Sequence, residues 1–194
     1  MTAFELVAPL VAIFVGLAFA DMASSLHRLL RARRRVRWHW FVFSAAVLLV
    51  LLTLEIWWSG IRDLERAGLT FTIGLFVPVL AQLLVIFLLA SSALPDAVPD
   101  EGIDLEAYYW EHARFFWSWM ALLLLSFVVQ RMVIVASLRG VDRLGAALPG
   151  AVPNLIVIGL MLSLVFVRRR WWHVLWLALF PTLYFANLFA RPLL

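Results

Sequence analysis

Two charged residues stand inside long apolar runs. Glu55 interrupts VLLVLLTLEIWWSG (residues 47–60), and Arg131 interrupts LLLLSFVVQRMVIVAS (residues 122–137). A charge at the centre of a membrane span costs about 2.5–3.5 kcal/mol, less near its ends, so each needs a counter-charge or water. If Trp57 and Trp58 mark an interface, Glu55 lies roughly one 5.4 Å helical turn inside it. Arg131 precedes Arg139 by about 12 Å of helix at 1.5 Å per residue, which places it in the same leaflet. The two are expected to pair, with Glu5 as the rival anion, and the pair reads equally as a structural bridge or as part of an ion pathway.

Asp21 is the third ionisable group of this kind. Ser25 and Arg28 follow it at one and two helical turns, near the arginine-rich end of the first apolar run. It is expected either to accept a cation or proton at a pathway mouth, or to pair with a first-loop arginine.

The four histidines, His27, His39, His112 and His173, all fall at the ends of apolar runs, with Asp104, Glu106 and Glu111 close to His112 in sequence. No HxxxH, HExxH or ExxH pair occurs, so the sequence implies polar interfacial residues and neither a metal nor a haem. No cofactor is expected. The chain has no cysteine, and all sixteen basic residues are arginine. Thiol nucleophiles, thiolate metal sites, Schiff-base chemistry and the phosphate-binding lysine loop are therefore excluded.

A different pattern concerns packing. Ala8, Ala12, Gly16, Ala20 and Ser24 recur at every fourth position of the first run. Small side chains on one helix face permit close approach of a second helix, the usual route to association in lipid. The ridge is expected to contact a helix of this chain or of another protomer.

The elements that carry these residues follow from composition. Hydrophobic residues make up 65% of the 194 and charged residues only 14%, far from the balance of a soluble domain. The chain therefore reads as an all-α, polytopic integral membrane protein, one six-span transmembrane helical bundle over residues 1–194. The spans fall near 5–27, 39–59, 69–91, 114–137, 153–168 and 172–190, each near the length needed to cross about 30 Å of hydrocarbon. No cleaved signal peptide is expected, since a basic leader before the first run is missing.

Ten arginines lie in the odd-numbered loops, among them Arg28, Arg31, Arg33, Arg34, Arg35, Arg37 and Arg168 to Arg170. This bias predicts cytoplasmic odd loops and both termini outside the cytoplasm of a bacterial-type inner membrane. Arg37-Trp38-His39-Trp40, Arg114-Phe115-Phe116-Trp117 and Arg170-Trp171-Trp172-His173 open the second, fourth and sixth spans. Arginine beside indole is an interfacial anchor, so the chain reads as three helical hairpins with cytoplasmic bends. Before the fourth span, DLEAYYWEHARFFWSW is expected to begin a helix capped by Asp104, with an aromatic side along the membrane surface.

The net charge of +4 points to anionic lipid headgroups as neighbours. Nucleic acid is not expected, because the arginines flank spans in short clusters. Three functions remain. The first is an ion or proton channel or transporter acting as an oligomer, with Glu55, Arg131 and Asp21 near its path. The second is a non-catalytic structural or regulatory subunit of a larger membrane complex, joined through the first-span ridge. The third is a membrane enzyme with a histidine site on the cytoplasmic side.

Overall fold

A computed structural model describes residues 3–67 and 72–190. Within them the chain is all-α, with helices α1 (Ala3–Arg31), α2 (Trp40–Ala67), α3 (Ile73–Ala93), α4 (Leu105–Arg139), α5 (Leu144–Phe166) and α6 (Arg170–Ala190). Two short strands, β1 (Val36–Arg37) and β2 (Ile103–Asp104), pair in parallel, with Val36 opposite Ile103 and Arg37 opposite Asp104. Five of the helices are long and apolar enough to cross a membrane: Val7–Arg31, Trp40–Trp57, Phe76–Ala93, Leu105–Ser137 and Leu144–Phe166.

The helix boundaries have local causes. Arg28 and Arg31 occupy the last turn of α1, where cations complement the negative end of the helix dipole. The side chain of Asp104 caps α4 by accepting from the backbone N–H groups of Glu106 and Ala107, and Glu106 adds an acid to the first turn, as the sequence predicts. Gly140 ends α4 at φ 84°, a conformation open to glycine.

α4 is longer than its predicted span. Its 35 residues extend about 52 Å at 1.5 Å per residue, well past a hydrocarbon core of about 30 Å. The aromatic segment is thus the first part of one continuous helix, not a surface helix preceding a span. Tyr109, Phe116 and Trp117 are buried against the bundle. Burial, not interfacial anchoring, explains these rings.

α2 is the central helix: 50% of its Trp40–Trp57 stretch is buried, more than in any other candidate span. Phe41, Val42, Ala45, Leu48, Leu49 and Leu52 recur along its inward side at helical spacing. α1 and α3 lie against each other and against α2, α4 packs along α5, and α6 lies on α2. The last two helices therefore leave their common bend toward different neighbours.

Candidate functional site

Polar chemistry concentrates at the end where α1 joins α2, α3 joins α4 and α5 joins α6. Here Arg35 Nη1 donates to Asp100 Oδ1 at 2.8 Å, and Arg37 Nη1 meets Asp104 Oδ2 at 3.0 Å. Ser25 Oγ donates to Asp96 Oδ1 at 3.0 Å, while Arg28 Nη2 reaches the same Asp96 oxygen at 3.3 Å and Ser25 Oγ at 3.0 Å. The acids of the third loop thus run along the arginines of the first in register with the β1–β2 pairing. Gly102 makes this register possible. Its φ is 92°, and a Cβ there would collide with the carbonyl oxygen of Arg35.

Asp104 works in two directions: Oδ1 caps α4 and Oδ2 holds Arg37. Hydrogen bonds from Ala107 N–H first, then from Glu106 N–H, with the positive charge of Arg37, hold its carboxyl below the ordinary value of 3.8, against a partial desolvation.

The third bend joins the same end. Glu106 receives His39 Nε2 and Arg170 Nη2, each at 3.5 Å, so one carboxylate lies among residues preceding α2, opening α4 and opening α6. Arg168 Nη2 donates to the Trp110 carbonyl at 2.9 Å.

Beneath this charged surface runs a buried relay. Trp117 Nε1–H donates to Tyr109 Oη at 3.0 Å, and Tyr109 Oη lies 2.7 Å from His173 Nδ1. His173 Nε2 lies 2.9 Å from the Val167 carbonyl. A carbonyl only accepts, so the proton of a neutral imidazole sits on Nε2, and Nδ1 accepts from the tyrosine. His173 and Trp117 are each 0% exposed. Every donor in the relay is satisfied, and it ties α4 to the α5–α6 bend. The sequence reading of the histidines as interfacial groups fails for His173, whose position at a helix start gives no sign of burial.

A second polar cluster lies between spans. Gln82 of α3 is 5% exposed, and its Nε2 donates to Ser126 Oγ at 3.1 Å and to Gln130 Oε1 at 3.0 Å, both on α4. Gln82 lies one turn after Pro78, and its partners on α4 become visible only when α3 meets α4.

The predicted site residues are spread over the molecule. Asp21 is partly exposed on α1, while Ser25 and Arg28 turn to Asp96. Glu55 is partly buried on α2 and Arg131 is exposed on α4, and the ion pairs among the described residues do not join them. The side chain of Glu5 lies outside those described. In the ridge, Ala8 is partly exposed and Ala12, Gly16, Ala20 and Ser24 are exposed; nothing lies within 4 Å of a Cβ built on Gly16. α1 instead packs through Val7, Val11, Ala18, Met22, Ser25 and Leu29. The acids that matter most at the arginine-rich end, Asp96 and Asp100, are not among the predicted site residues. Their signal was an acidic loop of the same numbering parity as the arginine loops.

Among the described residues no group of three His, Asp or Glu side chains is placed to hold a metal ion. No family model matches the sequence, and no match to a curated protein or to a solved structure is found.

Proposed function

We propose that this chain is a six-span membrane protein that acts by association, as a non-catalytic structural or regulatory subunit whose α1 ridge binds another membrane helix. The observation that carries this reading is the outward direction of Ala12, Gly16, Ala20 and Ser24 while the opposite side of α1 is buried. Close approach to the ridge is thus left open to a helix of another protomer or of a partner membrane protein. α6 supplies the sixth span in this reading, since its 21 residues cover about 31 Å at 1.5 Å per residue. The arginine-rich bends lie in the cytoplasm, both termini lie outside, and the membrane is of the bacterial inner type. The convergence of all three odd bends at one end supports that arrangement.

A second reading, an oligomeric ion or proton channel or transporter, draws on the Gln82–Ser126–Gln130 cluster and on Asp21, Glu55 and Arg131 as ionisable groups of the spans. The absence of native cysteine in the sequence permits a clean test. A single Gly16→Cys variant should form disulfide-linked dimers in oxidised native membranes, whereas Met22→Cys, on the buried side, should not. Gly16→Leu should lose oligomer mass in mild detergent while remaining inserted. Monomer in all these variants, together with proton or cation flux in liposomes that Glu55→Gln or Arg131→Gln changes, would replace association by transport.

A further inference from the structure

The structure divides the arginines of the first loop into two sets. Arg28, Arg35 and Arg37 are neutralised by Asp96, Asp100 and Asp104. Arg31, Arg33 and Arg34 are exposed, and no acid among the described residues pairs with them. Sequence alone cannot make this division, because all six lie in one basic run. The free three are also held at a fixed height. Arg31 ends α1, Arg33 and Arg34 form a 3-10 turn with Arg35, and α2 begins at Trp40. The turn thus joins two helices that are each long and apolar enough to cross a membrane, which would set it at headgroup depth. Trp38 and Trp40, 44% and 42% exposed, flank it with indoles at the same end.

We propose that Arg31, Arg33 and Arg34 form a binding surface for the phosphate of an anionic phospholipid, with Trp38 and Trp40 seated at the adjoining glycerol level. A guanidinium offers planar, paired N–H donors that match phosphate oxygens, and it is more weakly hydrated than an ammonium group. Three such groups within four residues, with none of their charge cancelled, give one end of the bundle a local positive field. The Arg35–Asp100 and Arg37–Asp104 pairs brace the turn from the other side, so the free arginines are presented by a fixed backbone. This surface is independent of the α1 ridge: it would hold whether the chain associates or transports.

The full-length protein in lipid nanodiscs provides the test. In discs containing phosphatidylglycerol, the wild type should unfold at a higher temperature than in pure phosphatidylcholine, and native mass spectra should retain phosphatidylglycerol. At about 1 kcal/mol per arginine near a charged surface, Arg33→Gln with Arg34→Gln should weaken the anionic preference roughly 30-fold. The melting shift should then nearly vanish. Tyr109→Phe is the control: it leaves every arginine in place, breaks the buried relay with Trp117 and His173, and should lower the melting temperature in both lipids while leaving the lipid-dependent shift. A wild type indifferent to phosphatidylglycerol, or a double variant that keeps both the shift and the bound lipid, overturns the proposal. So does an equal shift from inorganic phosphate in phosphatidylcholine discs, which would make this a site for free phosphate.

Discussion

The arginine-rich end and the middle of the bundle are held together by different physics. At the end, Asp96, Asp100, Asp104 and Glu106 each find a basic partner, two strands pair, and the Trp117–Tyr109–His173 relay closes over the α5–α6 bend. These contacts are directional, and each acid selects particular partners, Glu106 both His39 and Arg170. In the middle, α2 buries Leu48, Leu49 and Leu52 while Leu54 and Val47 face outward with the same chemistry. Lipid tails are as apolar as leucine, so burial there gains dispersion and fit with no hydrophobic driving force. The polar end therefore specifies which helices meet, and the apolar middle supplies length and packing.

Tyr109→Phe should be the most damaging conservative change. It leaves His173 Nδ1 and Trp117 Nε1 buried without a partner, at about 1–3 kcal/mol for each orphaned group. Thermal or denaturant unfolding in detergent should show a loss on the order of 2–6 kcal/mol. A loss on the order of 0.5 kcal/mol or less would mean that water re-satisfies the relay and that the arginine-rich end is no more specific than the middle.

Gln82→Leu probes the middle by the same logic and should do less. Hydrogen bonds between membrane helices average about 0.6 kcal/mol, with a maximum near 1.7, because the separated helices find other partners. The same unfolding assay should place this variant above Tyr109→Phe in stability. An inverted order would put the α3–α4 amide cluster, not the arginine-rich end, in control of helix pairing.

The smallest effect is expected from protonating Asp104. Its carboxyl titrates below 3.8 in the fold, so its contribution is present above that value and is lost as the pH falls through the lowered one. Asp104→Asn keeps a cap acceptor but not the charge facing Arg37. The variant should be less stable than wild type at pH 7, and the gap should close on acidification below about pH 3.8. A gap that persists unchanged into acid would assign the role of Asp104 to capping alone.

The sequence by itself determined the helices, and that five of them are long and apolar enough to cross a membrane. Runs such as IGLFVPVLAQLLVIFLLASSA in α3 suit a helix in hydrocarbon, where a backbone must satisfy its own hydrogen bonds. It also determined the cap at Asp104, because a capping side chain acts within three residues of its own position. Tertiary structure alone decided that Arg28 takes Asp96 in preference to Asp21, that His173 is buried, and that the small residues of α1 face away from the bundle. It also decided that α5 lies on α4 while α6 lies on α2. The reason is common to all four. A span is apolar on every side, so hydropathy carries no mark of which side meets protein. Partners such as Ser25 and Asp96, 71 residues apart, become neighbours only when the helices between them have packed.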